Sequence, residues 1–132
     1  MYSTVEDLAR WTHALIDRQF GSKTSVDAML SPQASWCDDQ ERTLCPPDQD
    51  CQLLPLRQRA CRSYGYGWEL YTHLNRTGGG ERVIEHGGAS EGFLAASRYY
   101  PDRKLYLVIL TNSDRLDPGY LLHTVWDAAT TD

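Results

Sequence analysis

The 132-residue sequence lacks the features that mark membrane-spanning and nucleic-acid-binding proteins. It has no apolar run near the roughly 20 residues that a transmembrane helix requires. It has no excess of positive charge, since 13 Lys and Arg residues stand against 18 Asp and Glu residues for a formal net charge of -5, and no basic stripe carries interleaved aromatic residues. We therefore expect no membrane span and no nucleic-acid partner, and a small or neutral ligand is favoured.

The sequence also lacks the residue spacings of common metal sites. Its cysteines do not show the paired C-x-x-C spacing of most zinc sites, and no H-E-x-x-H motif is present. The histidines are widely scattered, at His13, His73, His86 and His123. We expect neither a metal nor an organic cofactor.

Four cysteines are confined to one polar, proline-bearing stretch: Cys37, Cys45, Cys51 and Cys61. An even number in a loop with little to bury favours two disulfides, which require an oxidising compartment. Four cysteines allow three pairings, and the spacing selects none of them. The sequon at Asn75 is a candidate glycosylation site and agrees with a secreted protein. The chain opens without a signal peptide. We therefore expect either that Met1 is not the natural start or that the chain is a piece of a longer protein.

The first part of the chain is predicted to be helical. "YSTVEDLARWTHALIDRQF" has apolar residues at the spacing of one helix face, and Ser3 with Glu6 predicts a capping box. A second helix is expected from about Ser25 to just before Pro32. Neither helix has an evident partner, so the apolar face of the 4–17 helix predicts self-association or contact with an N-terminal half. Residues 36–62 are predicted to form an irregular, disulfide-held insertion.

From Ser63 onward the pattern favours strands. "YGYGWELYTHL" alternates with period two, "RVIEHGG" predicts a short strand, and residues 93–100 and 105–110 predict a hairpin. The almost continuous apolar run at 105–110 predicts a central strand that is covered on both faces. "GYLLHTVWDAA" has helical spacing. The chain is therefore predicted to be α+β, with about four antiparallel strands and flanking helices.

Three blocks of this sequence, in order, resemble the C-terminal half of the serine β-lactamase-like superfamily: "YSTVEDLARWTHAL", "YGYGWEL" and "EHGGASEGFLAASRYYPDRKLYLVILTNSD". That superfamily includes class C β-lactamases, D-aminopeptidases, esterases and low-molecular-weight penicillin-binding proteins. The resemblance implies that residues 1–132 are the C-terminal part of such a domain, with a partial β-lactamase/transpeptidase-like fold and a Cys-rich insertion at about 36–62.

The resemblance also implies a substrate-binding strand. In this superfamily a strand beside the active-site serine carries Lys-Thr-Gly or His-x-Gly, and His86-Gly87-Gly88 stands at that point. By this likeness His86 would bind a substrate carboxylate or a catalytic tyrosine's network. Gly88 would leave room for the substrate carbonyl, and the N–H of Ala89 would be one of two oxyanion-hole donors. The alternative is an ordinary exposed histidine beside a bulge.

Two family motifs are missing from the sequence. The family nucleophile is the serine of S-x-x-K, but none of the nine serines has a lysine three residues later. No tyrosine or serine has an asparagine two residues later, so Y-x-N and S-x-N are missing too. We therefore expect a fragment of a secreted serine hydrolase, inactive alone, that in complete form takes a small-molecule or peptide-like acyl substrate. A non-catalytic binding domain (a pseudoenzyme) and a small disulfide-stapled secreted module are the alternatives.

Overall fold

The computed structural model describes residues 3–37, 43–45, 61–74 and 80–130. The elements follow the chain in this order: α1 (Val5–Ile16), α2 (Lys23–Met29), β1 (Ala34–Cys37), β2 (Thr43–Cys45), β3 (Cys61–Tyr64), β4 (Glu69–Leu74), β5 (Gly80–Ser90), β6 (Phe93–Tyr100), β7 (Leu105–Thr111) and α3 (Pro118–Thr130). Within these residues, no helix has the length and apolar character needed to cross a membrane. Cys51, Asn75 and most of the predicted insertion lie outside the described residues.

Within the described residues, seven strands form one antiparallel sheet in the order β2-β1-β3-β4-β5-β6-β7. The predicted α+β class is confirmed, but the expected number of about four strands is wrong. The difference arises where the irregular insertion was predicted, since β1 and β3 at its two ends pair with each other. Each has only four residues and mixed polarity, so neither carries the period-two apolar pattern that predicts a strand.

Helices cover the two faces of this sheet. On one face, α3 packs over a core of buried residues: Val83, Tyr100, Leu107, Leu122 and Trp126. On the other, α1 and α2 contribute Leu15 and Val26 to a smaller core with Trp68, against which Ile84 packs. Neighbouring residues of a strand point to opposite faces, so Val83 and Ile84 anchor β5 to both layers.

The apolar strand β7 lies at one end of the sheet, next to β6 alone among the described strands. The prediction that it is central is therefore wrong. Its faces are nevertheless covered, because α1 and α3 both pack against it. The apolar run in its sequence thus reflects two covered faces and not a central position.

The beginnings of the first two helices differ slightly from their prediction. Thr4, and not Ser3, caps α1, since its Oγ1 accepts a hydrogen bond from the backbone N–H of Asp7 at 3.1 Å. Ser22 caps α2, so this helix begins at Lys23, two residues before the predicted start. A cap side chain must reach an unsatisfied N–H of the first turn, and that geometry decides between neighbouring hydroxyl residues.

The helix α1 packs against the sheet, a partner that was not evident from the sequence. Leu15 is fully buried, and the hydroxyl of Thr12 donates to the hydroxyl of Tyr106 in β7 at 2.9 Å. Val5 and Trp11 remain exposed on the same helix. Self-association through the 4–17 segment stays a prediction.

Candidate active site

The last five residues of β5 form an open edge of the sheet. β5 pairs with β6 from Ile84 to Ser90, but it pairs with β4 only from Gly80 to Glu85. Residues 86–90 are therefore paired on one side only among the described strands, and all five are exposed. In an antiparallel ladder every second residue turns its N–H and C=O toward the unpaired side. We call residues 86–90 the open edge.

The four site residues predicted from sequence lie together on this open edge: His86, Gly87, Gly88 and Ala89. They face the partner strand β6 in continuous register, from Ser97 opposite His86 to Leu94 opposite Ala89. The strand is regular there, so the alternative interpretation of a bulge is wrong. A ligand laid along the edge would meet all four in succession.

The two glycines are not required by the packing of the chain itself. A Cβ at Gly87 would lie 3.6 Å from the carbonyl oxygen of Ala95, and one at Gly88 would lie 3.9 Å from the Cβ of Ala95. These are ordinary contacts. A Cβ at Gly65, in contrast, would lie 2.1 Å from the carbonyl oxygen of Met29. A Cβ would therefore fit at either glycine without a clash, and both residues are exposed.

The imidazole of His86 is held by a tyrosine that sequence reasoning missed. The hydroxyl of Tyr64, the last residue of β3, lies 3.2 Å from Nε2 of His86, and either group can donate according to the imidazole tautomer. Their rings lie 6.4 Å apart between centroids. No sequence pattern connects two residues 22 positions apart, because their contact depends on the order of the strands.

A cluster of charged and phenolic groups lies directly before the open edge. The carboxylate of Glu85 accepts hydrogen bonds from Nε of Arg98 at 2.6 Å, the hydroxyl of Tyr71 at 2.8 Å and Nη1 of Arg62 at 3.3 Å. Burial and the negative charge of Glu85 raise the pKa of Tyr71. Arg98 is only 5% exposed. The cluster ties β3, β4, β5 and β6 together immediately before His86.

Glu85 and Arg98 of this cluster line a hollow of mixed polarity on one side of the open edge. The hollow has a volume of about 490 Å³ and contains Glu69, Glu85 and Arg98 together with residues 86–89. Sequence reasoning missed the cluster, although one signal was present. Glu85 and Arg98 are each two residues from a residue of the α3-side core, Val83 and Tyr100, and so share its face of the sheet. A charge at an inward-facing strand position usually has a buried partner.

An apolar hollow of about 290 Å³ lies on the other side of the open edge. Leu8 and Trp11 of α1 and Trp68 line it together with residues 86–88. The two tryptophan rings stack with 5.8 Å between centroids and 17° between planes. The open edge thus separates a charged surface from an aromatic one.

Comparison with known proteins finds a matching family model and a similar protein. A family model described as Beta-lactamase matches residues 1–130. The protein named Unguisins hydrolase ungD, from Aspergillus violaceofuscus, is 32% identical over 117 residues, which cover 84% of this chain and 19% of that protein. The chain therefore spans about a fifth of the length of this curated relative. No solved structure matches the chain significantly.

Proposed function

This chain belongs to the β-lactamase family, and from that premise we propose that it forms the substrate-binding wall of a serine hydrolase acting on an amide or ester. The observation that carries the proposal is the open edge, an exposed strand segment with two glycines that internal packing does not require. The nucleophile comes from another stretch of polypeptide, since this sequence contains no S-x-x-K. By itself the chain is catalytically silent.

In this proposal the substrate carbonyl lies beside Gly88, where a side chain would obstruct it. The serine oxygen attacks the carbonyl carbon, and the resulting oxyanion accepts hydrogen bonds from the N–H of Ala89 and the N–H of the serine. Collapse of this intermediate leaves an acyl-serine and expels the amine or alcohol, which takes up the proton that the serine hydroxyl lost. A water molecule then attacks the acyl carbon, the serine oxygen leaves and regains a proton, and the carboxylic acid is released. His86 binds a substrate carboxylate or the proton-relay tyrosine, and Tyr64 orients its ring.

The substrate is a peptide-like or small acyl compound. A peptide-like group is supported by the open edge, whose backbone groups can pair with an extended chain. The aromatic hollow formed by Trp11 and Trp68 favours an apolar substituent on one side. The relative's name describes a hydrolase of unguisins, which agrees with hydrolytic chemistry.

The four cysteines support a secreted location, and the sequon at Asn75 supports glycosylation.

Binding without cleavage is a second candidate function. It is favoured by the absence of S-x-x-K in a chain whose open edge can accept an extended segment as an additional strand. The two functions differ in what they require of Ala89. Only the hydrolase needs its N–H as a donor to the oxyanion that forms when a nucleophile attacks.

A chimera tests the hydrolase proposal. In ungD, the segment that matches this chain is replaced by the present sequence, and the purified chimera is assayed on unguisins and with a fluorophosphonate serine reagent. We expect hydrolysis and covalent labelling, both strongly reduced by Gly88→Val. A folded chimera that is neither labelled nor active would overturn the hydrolase proposal and favour simple binding. A second chimera that carries only residues 84–98 guards against failure of the larger graft to fold.

A further inference from the structure

We propose that Cys37 and Cys61 form a disulfide that ties β1 to β3. These strands are antiparallel, with Ala34 opposite Tyr64 at one end and Cys37 opposite Cys61 at the other. Directly opposed residues of an antiparallel pair have Cα atoms roughly 4.5 or 5.5 Å apart, according to their place in the ladder. A disulfide needs a Cα separation of roughly 4.4–6.8 Å. Both positions in the ladder satisfy that requirement.

The neighbouring pair in the same register supports this proposal. Ser35 and Ser63 are opposed two residues away, and their hydroxyl oxygens lie 2.9 Å apart. Because side chains alternate between faces along a strand, Cys37 shares a face with Ser35, and Cys61 shares it with Ser63. The backbones of β1 and β3 therefore lie close enough in this register for one opposed pair of side chains, Ser35 and Ser63, to touch.

The sheet order argues against two other pairings. β1 lies between β2 and β3, so Cys45 in β2 is two strand spacings, about 9.6 Å, from β3 and Cys61. Cys37 faces Thr43 in β2, while Cys45 faces Ser35, which places Cys45 roughly two residues along the strand from Cys37. Both separations exceed the reach of a disulfide. The remaining arrangement joins Cys37 to Cys61 and leaves Cys45 to Cys51.

The bond forms by thiol–disulfide exchange with a small-molecule disulfide such as oxidised glutathione. The thiolate of one cysteine attacks the oxidant and forms a mixed disulfide, and the second thiolate displaces the bound glutathione. Two protein thiols are oxidised, the oxidised glutathione is reduced to two glutathione thiols, and these take up the two protons that the cysteines lose. The cross-link holds β3, whose final residue Tyr64 contacts His86. It does not depend on the proposed hydrolase reaction.

Tryptic peptide mapping separates the proposed pairing from the other two pairings. Trypsin cleaves after Lys and Arg, so it places Cys37 in peptide 24–42, both Cys45 and Cys51 in peptide 43–57, and Cys61 in peptide 60–62. The proposed pairing yields peptide 24–42 joined to peptide 60–62, with peptide 43–57 separate and 2 Da lighter than its reduced form. Either other pairing joins all three peptides into one product.

The whole chain is folded in a buffer of reduced and oxidised glutathione, treated with N-ethylmaleimide at acid pH and digested without reductant. We expect the linked pair 24–42 and 60–62 by mass spectrometry. A three-peptide product, or maleimide on Cys37 and Cys61, overturns the proposal. The Cys45→Ser/Cys51→Ser control should keep the link. The Cys37→Ser/Cys61→Ser variant should lose it and raise the unfolding equilibrium constant on the order of 100-fold.

Discussion

The hydroxyl of Tyr64 lies 3.2 Å from Nε2 of His86, although the two residues belong to strands that are separated in the sheet by β4. This is possible because β4 begins at Glu69 and its pairing with β5 extends only to Glu85. Where β4 is absent, a side chain from β3 can reach the open edge. The shape of the sheet therefore brings a second polar group to the histidine.

Removal of this contact should reduce activity of the ungD chimera. Tyr64→Phe deletes one hydrogen bond, which corresponds to about 1 kcal/mol or a roughly fivefold loss in kcat/KM. His86→Ala removes a group that binds a charged substrate or relay, and we expect a loss of about 10–100-fold. Tyr66, which is 61% exposed, provides the matched control. Equal rates for Tyr64→Phe and Tyr66→Phe would argue against a positioning role for Tyr64.

Alanine substitutions at two glycines should affect different properties, activity at Gly88 and stability at Gly65. Gly88→Ala creates only an ordinary contact with Ala95, so we expect the free energy of unfolding to change by less than about 1 kcal/mol. The same change should lower kcat/KM of the chimera at least tenfold. Gly65→Ala forces a Cβ against the carbonyl of Met29 and should destabilise the chain by about 3 kcal/mol. Urea denaturation measures both stabilities, and a large loss for Gly88→Ala would contradict the assignment of an open space.

Neutralising Glu85 should destabilise the sheet. Glu85→Gln leaves the buried guanidinium of Arg98 without its anionic partner, and breaking such a pair costs about 3 kcal/mol. Asp102→Asn removes an exposed ion pair with Arg82 and serves as the control, for which we expect no measurable change. Chemical denaturation at neutral pH compares the two variants. Similar stabilities would mean that the cluster does not anchor the strands.

Stability should fall at alkaline pH through Tyr71. The pKa of this phenol is raised above its usual 10.0 by burial and by the charge of Glu85, so the folded chain holds the proton more tightly than the unfolded chain. The stabilisation is complete below pH 10.0 and declines as the pH rises above it. Tyr71→Phe should flatten this decline in denaturation profiles between about pH 9 and pH 11.5. Tyr120→Phe, at an exposed position, should follow the unmodified chain.

The chain alone should not catalyse hydrolysis. It has no S-x-x-K serine, so a chromogenic β-lactam and a p-nitrophenyl ester should be turned over no faster than with the His86→Ala variant. Absorbance assays and a fluorophosphonate label measure this directly. Turnover that a serine reagent abolishes would refute the prediction and would identify a nucleophile within these 132 residues.

Sequence reasoning identified the four contiguous residues of the candidate site, but it missed the side chains that contact this site from other strands. His86, Gly87, Gly88 and Ala89 are contiguous, so their presence on one exposed strand followed from a local pattern. Their role in binding stays a prediction. Tyr64 and the partners of Glu85 could not be found in the same way, because each contact joins strands that are distant in the chain.

By itself the sequence determined the elements with strong local periodicity. The helix α1 and the hairpin of β6 and β7 follow from apolar spacing and turn residues, which act over a few positions. Only the tertiary structure decided that β1 and β3 are strands, that Cys37 faces Cys61, and that β7 ends the sheet. Short polar strands gain their hydrogen bonds from partners far along the chain, so their existence and their neighbours depend on the assembled sheet.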